Sequence, residues 1–174
     1  HLMIAGFVKK QIQWSFKTTK PLKQSLYRIC DPYMRFYLKV IEIHRAKIDL
    51  GAFDEMPLSG LPGFEAHMGL QIEYLLLQNR SLLLKAIGIL PSDVICDGPY
   101  RQSQTASAKG CQIDYLLQTA TKNLFVGEFK FKRREVGIEI IQDLQEKINA
   151  LKIPRNYAAV PVLFHIGGIA SSIE

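Results

Sequence analysis

Gln112-Ile-Asp-Tyr-Leu-Leu-Gln118 and Asn123-Leu-Phe-Val-Gly-Glu-Phe-Lys-Phe-Lys132, joined by Thr119-Ala-Thr-Lys122, decide the fold. Both runs are rich in β-forming residues, and the short polar link between them is a hairpin signal. A period of two puts Leu124, Val126, Glu128, Lys130 and Lys132 on one face of the second strand and Phe125, Gly127, Phe129 and Phe131 on the other. In the first strand Asp114 shares a face with Leu116, while Ile113, Tyr115 and Leu117 take the other. Both faces of the second strand begin apolar, as in an interior strand, yet one of them then carries Glu128 and Lys130. Pairing the two strands brings Asp114 and Glu128 to one end of the sheet.

Downstream, Ile141, Leu144, Ile148 and Leu151 form a helical stripe inside a helix expected from about Gly137 to Leu151, and Ala158 to Ile166 reads as a last strand. Upstream, Pro91 to Gly110 is polar and turn-rich, with a short strand at Val94-Ile95-Cys96. Residues 82–90 are an apolar segment whose period does not choose between strand and helix. A helix is expected from Leu61 or Phe64 to about Gln78, after a Gly- and Pro-rich loop from Gly51 to Gly63. Asp31-Pro32 is a helix start, with Asp as N-cap and Pro in the first helical position. That helix runs from Tyr33 to about Ile48, with Phe36, Val40 and Ile43 at helical spacing. Residues 4–29 read as two strands around the turn Lys17-Thr-Thr-Lys-Pro21, a hairpin too short to hold a core alone. The order of helices and strands is α/β or α+β.

The chain has 174 residues, of which 48% are hydrophobic and 22% charged, which excludes a disordered or low-complexity polymer. Its net charge of +6 is uneven. Residues 1–50 hold ten Lys/Arg against three Asp/Glu, whereas residues 51–174 hold twelve against thirteen. A basic end on a neutral body points to a polyanion partner, most simply nucleic acid. A solvated basic face is the plainer reading of the same charges. Cys30, Cys96 and Cys111 form no CxxC pair, and the four His show no metal-ligand spacing. A reducing, cytoplasmic compartment is expected. The apolar stretches are too short for a membrane span. No signal peptide is visible, and the chain reads as a piece of a longer protein.

The carboxylates carry the chemistry. On the helix ending near Gln78, steps of about 100° put Met68, Ile72 and Leu76 close to Glu65, so Glu65 is expected in the middle of an apolar face. A carboxylate aimed at a core is costly unless paired. Glu65, Asp114 and Glu128, with Lys130 beside them, suit Mg2+ or Mn2+, which prefer carboxylate oxygens. Such a cation polarises a phosphate and lowers the pKa of a water, while a lysine stabilises charge or assists deprotonation. Structural ion pairs, such as Glu65 with Lys132, are the competing explanation.

The order helix-Glu65, strand-Asp114, strand-Glu128-Phe129-Lys130, helix resembles the PD-(D/E)XK nuclease superfamily, although no Pro precedes Asp114. A closer resemblance covers nearly the whole chain. Tyr27-Arg-Ile-Cys-Asp-Pro-Tyr-Met-Arg-Phe-Tyr37, Gly63-Phe-Glu65, Gln112-Ile-Asp114 and Val126-Gly-Glu-Phe-Lys130 look like the C-terminal region of archaeal-type P-loop ATPases. That resemblance implies a winged-helix remnant with its basic wing at residues 1–29, a connecting helix and loop at 30–60, and a nuclease-like domain at 61–174. The implied fold is restriction-endonuclease-like: a mixed central sheet flanked by helices. The implied site has Glu65, Asp114 and Glu128 on Mg2+ or Mn2+, the Phe129 carbonyl as a further ligand, and Lys130 acting on the attacking water. No GxxxxGK[ST] occurs, so the ATPase module is expected elsewhere in the full-length chain. The implied activity is phosphodiester hydrolysis; the alternative is a non-catalytic module that binds DNA or a partner. The Asp-Pro-Tyr-Met-Arg-Phe-Tyr segment is expected to be structural, capping a helix and packing aromatics.

Smaller candidates have plainer readings beside them. Gln142 and Gln145 border the last helical stripe and could orient water or phosphate, although exposed helix Gln is commoner. Lys132, Arg133 and Arg134 could touch phosphates, as could Lys9, Lys10, Lys17, Lys20 and Lys23 on the wing. Trp14 and Phe16 are expected to pack rather than stack on bases. His67 and His165 read as ordinary surface or core histidines, and Cys96 and Cys111 as small core residues.

Overall fold

The computed structural model describes residues 1–106, 108–131 and 134–170. The chain begins with a hairpin of β1 (Val8–Ser15) and β2 (Lys20–Ile29). Then come α1 (Pro32–Phe36), a π-helical turn (Tyr37–Ile41) and α2 (Glu42–Asp49). After a loop lie α3 (Phe64–Gln78), α4 (Arg80–Ala86), β3 (Val94–Gln102), β4 (Cys111–Thr119), β5 (Asn123–Lys130), α5 (Ile138–Ala150) and β6 (Ala158–His165). Two compact units result: residues 1–12 with 24–72, and residues 13–23 with 73–174. The hairpin and α3 each contribute residues to both units.

In the first unit the Asp31 Oδ1 accepts from the Met34 amide at 2.6 Å, and Pro32 begins α1, as the sequence signal requires. The Tyr33 and Tyr37 rings lie 6.4 Å apart, and Phe36 packs 5.3 Å from the His67 ring of α3. The Asp-Pro-Tyr-Met-Arg-Phe-Tyr segment is thus structural. The π turn was not foreseen by the simple helical period.

The second unit is built on a four-stranded mixed sheet in the order β3-β4-β5-β6. β3, β4 and β5 are successive antiparallel neighbours, and β6 lies parallel to β5 after the α5 crossover. One face of the sheet buries Leu116, Leu124 and Val126 with Leu144 and Leu151 of the α5 region. Trp14 and Phe16 from the hairpin join this core, Phe16 being only 1% exposed. They pack as expected, each against the Tyr100 ring. The other face buries Tyr115, Leu117 and Phe129 under Leu83 and Leu84 of α4, with Leu76 and Leu77 of α3 beside them. The apolar segment 82–90 is therefore largely helical. The Arg80 Nε and the Tyr115 hydroxyl both donate to Asp97 Oδ2, at 2.6 and 2.7 Å, and tie α4 to the sheet.

β3 is longer than the three-residue strand expected, because ladder pairing with β4 carries it through Gly98 and Pro99. Between Gly98↔Leu116 and Tyr100↔Ile113 the register slips by one residue on β4. This bulge resets the alternation and explains why Ile113 shares a core with Leu116, against the strict period of two. Among the described residues no helix is long and apolar enough to cross a membrane.

Candidate functional site

Asp114 lies where the β4–β5 ladder ends. The paired register runs from Gln118↔Leu124 to Tyr115↔Gly127. Beyond it the ladder is continued by a side chain: Asp114 Oδ2 accepts from the Phe129 amide at 3.0 Å. Asp114 is half-buried and Glu128, one residue before Phe129, is only 5% exposed. A carboxylate this deep requires compensation. Lys130 supplies it from the same face of β5, donating to Glu128 Oε1 at 2.9 Å. Lys147 of α5 supplies it again, donating to Glu128 Oε2. Glu128 is therefore held at both oxygens.

The electrostatics follow from this crowding. Burial pushes the Asp114 carboxyl above its ordinary range; the Phe129 amide opposes that shift, while the charges of Glu128 and Glu73 add to it and Lys147 partly offsets them. Burial alone would lower the Lys130 ammonium, but its bond to Glu128 and the charges of Glu128, Asp114 and Asp143 outweigh this and raise it. Lys130 is thus held charged at neutral pH.

Asp114, Glu128 and Lys130 converge as the strand pattern requires. Glu65 does not fit its expected setting: it is exposed on the first turn of α3 and belongs to the first unit. The reason is the composition of α3. Met68, Leu70, Ile72, Leu75, Leu76 and Leu77 surround most of the helix, so the face containing Glu65 had no special claim to the core. The buried residue near that end is His67. The acid of α3 that acts on Asp114 is Glu73, half-buried and three and four residues before Leu76 and Leu77, which pack on the sheet. That spacing was the available signal. The signal for Lys147 was similar: it lies three residues after Leu144 and four before Leu151, both buried. Among the described residues no three His, Cys, Asp or Glu side chains gather in a group able to hold a metal.

Gln142 and Gln145 are exposed on α5, and Gln145 bonds Asn149 at 3.2 Å; Lys147 is the α5 residue that reaches the carboxylates. Lys9, Lys10, Lys17, Lys20 and Lys23 are exposed, as is Arg134, while Lys132 and Arg133 lie outside the described residues. The three cysteines are unpaired thiols, and Cys96 and Cys111 pack at the edge of the sheet core. His165 is half-buried in β6. No protein-family model, curated protein or solved structure matches this chain.

Proposed function

We propose that the second unit is a nuclease-like domain that hydrolyses nucleic-acid phosphodiesters with Mg2+ or Mn2+, as part of a longer P-loop ATPase. The observation that carries this reading is the convergence of Asp114, Glu128 and Lys130 at one end of the β4–β5 pair. The order of α3, β4, β5 and α5 around these residues agrees with the PD-(D/E)XK resemblance. Mg2+ commonly takes one or two carboxylates and keeps several waters. Asp114 and Glu128 are the proposed donor set, with the Phe129 carbonyl as a proposed further ligand. Burial first, and then the charges of Glu128 and Glu73, push the Asp114 carboxyl upward, and a bound dication would relieve the part that is repulsion.

Such a cation would polarise the scissile phosphate and generate a nucleophilic water. The chain's own groups do the rest. Asp114 and Glu128 fix the position of the centre from two adjacent strands. Lys130, held charged, donates to the attacking water or to the phosphate oxygens and stabilises charge as it develops. The exposed lysines of the hairpin would bind backbone phosphates without reading sequence.

One observation favours a non-catalytic DNA- or partner-binding module instead: both oxygens of Glu128 are already satisfied by ammonium groups. The two readings separate on metal binding. Mn2+ at millimolar concentration should raise the melting temperature of the wild-type chain. Asp114→Asn should abolish the rise while keeping the fold, because its amide oxygen can still accept from Phe129. Lys130→Ala should retain the rise and lose phosphodiester cleavage. Equal stabilisation of wild type and Asp114→Asn would remove the metal site from consideration. Metal binding without cleavage of any DNA or RNA substrate would favour the non-catalytic module.

A further inference from the structure

Lys122 stands where a glycine or an asparagine would fit more easily. Its φ is +64°, and among the described residues the only other non-glycine at positive φ is Thr19, at +56°. In that region a Cβ crowds the neighbouring carbonyl, so tight hairpin turns favour Gly and Asn. Lys122 closes the β4–β5 turn, its amide donating to the Thr119 carbonyl at 3.1 Å, and its side chain is exposed. The lysine strains the turn and makes no packing contribution that would offset the strain.

Hydrogen bonds gather two more turns at the same end of the sheet, all within the second unit. The Lys122 carbonyl accepts from the Ala158 amide at 3.1 Å, where β6 begins. Just before it, the Tyr157 amide donates to the Pro154 carbonyl at 3.0 Å and closes a turn around Arg155. Gln118, at the end of β4, donates to the Tyr157 hydroxyl at 2.7 Å and to the Phe16 carbonyl at 3.1 Å. Cys96, the ladder partner of Gln118, donates from its thiol to the Thr19 carbonyl at 3.8 Å. The turns at 17–20, 119–122 and 154–157 carry Lys17, Lys20, Lys122 and Arg155, all exposed, and no acid. Asp93 is the acid bonded to them through its backbone, its carbonyl accepting from the Ala120 amide at 2.9 Å. Among the described residues none of the four cations forms an ion pair with a carboxylate. Thr18, Thr121 and Asn156, also exposed, add hydroxyl and amide donors, the companions of cations at phosphates. No residue of the three turns is an exposed large apolar side chain of the kind that centres a protein interface.

We propose that this end of the sheet is a composite nucleic-acid surface, in which Lys122 and Arg155 bind backbone phosphates together with Lys17 and Lys20 of the hairpin tip. The inference extends the nucleic-acid reading of the hairpin lysines and involves no metal. Lys130 lies at the other end of β5, about 25 Å away at the usual rise of a strand, so the surface is separate from the Asp114, Glu128 and Lys130 cluster. The strained lysine then has a reason: a cation at the tip of the turn reaches a phosphate that a glycine or an asparagine could not neutralise.

The test is binding of a fluorescein-labelled DNA duplex of about 20 base pairs to the full chain, by anisotropy in EDTA from about 50 to about 200 mM NaCl. The proteins are wild type, Lys122→Asn with Arg155→Gln, Lys17→Gln with Lys20→Gln, and Lys109→Gln, an exposed lysine just before β4 at the far end of the sheet. Lys122→Asn with Arg155→Gln should bind about tenfold more weakly at about 100 mM NaCl, with a salt slope smaller by about 2, near 0.9 for each phosphate released. Lys109→Gln should match wild type. Lys122→Asn alone should melt at or above the wild-type temperature, because Asn tolerates positive φ better than Lys. Wild-type affinity and slope in the Lys122/Arg155 variant, with Lys17→Gln and Lys20→Gln still weakening binding, would overturn the inference and leave the hairpin contact standing. No binding by any of the proteins would overturn the hairpin reading and the inference together. Equal weakening by Lys109→Gln would mean diffuse attraction without a site, which also overturns it. Displacement of the duplex by poly-glutamate as effectively as by unlabelled DNA of equal charge would make an acidic protein the occupant instead. A lower melting temperature for Lys122→Asn would show that Lys122 holds its turn together and remove the argument from strain.

Discussion

His67 shows how one buried side chain couples the first unit to pH. Its Nε2 lies 2.9 Å from the Gln71 Nε2, which also donates to the Pro32 carbonyl at 2.8 Å. An amide nitrogen only donates, so His67 Nε2 accepts and the ring is neutral. Burial, and then the charge of Arg35, lower its pKa from the ordinary 6.5. The unfolded chain therefore takes up this proton at higher pH than the folded chain, and stability falls as pH drops below about 6.5. The melting temperature should decline as pH falls below about 6.5, and His67→Gln should remove that part of the decline. An unchanged pH profile in the variant would show that His67 titrates freely. At this scale the sequence is half legible. Asp114, Glu128 and Lys130 are visible because acids and a lysine interrupt an apolar strand pattern. Glu73 and Lys147 are hidden because a single charge at helical spacing also fits a solvated face.

Among the elements, β5 is the most legible, and Gly127 shows what its pattern alone does not reveal. The alternation of Leu124 and Val126 against Phe125 and Phe129 separates the two cores as the period of two demands. A Cβ at Gly127 would meet the Tyr115 carbonyl oxygen at 2.9 Å and the Phe164 ring at 3.3 Å. Those neighbours are a ladder backbone and a core ring, which have little room to yield. Gly127→Ala should cost about 1–3 kcal/mol, read as a lower midpoint in urea. A variant as stable as wild type would mean that β4 and β6 spread easily around β5. By contrast, β3 was only partly legible, since Gly98-Pro99 reads as a turn in isolation and becomes strand through pairing with β4. The α4 segment was ambiguous because its short apolar run fits either period, and its tertiary seat under the sheet decides it.

For the molecule as a whole, the basic hairpin carries two sets of side chains, one buried and one exposed. Trp14 and Phe16 are buried in the core of the second unit, and the Gln118 amide donates to the Phe16 carbonyl at 3.1 Å. Lys17, Lys20 and Lys23 beside them are exposed. Deleting residues 1–29 would therefore remove core as well as charge and could not isolate a nucleic-acid contact. Point changes separate the two. Phe16→Ala should lower stability by about 3–5 kcal/mol in urea unfolding, through loss of a filled core position. Replacing Lys17, Lys20 and Lys23 together by Gln should leave stability nearly unchanged, because exposed charges contribute little. If these lysines make the proposed phosphate contacts, the triple variant should bind duplex DNA more weakly and with a salt slope smaller by roughly 2–3, near the 0.9 counterions released per phosphate neutralised. The uneven charge along the chain suggested the contact, but charge cannot distinguish a nucleic-acid surface from a solvated face. The salt slope can, because counterions are released only where phosphates are neutralised. An identical slope in wild type and triple variant would assign the hairpin to the core alone.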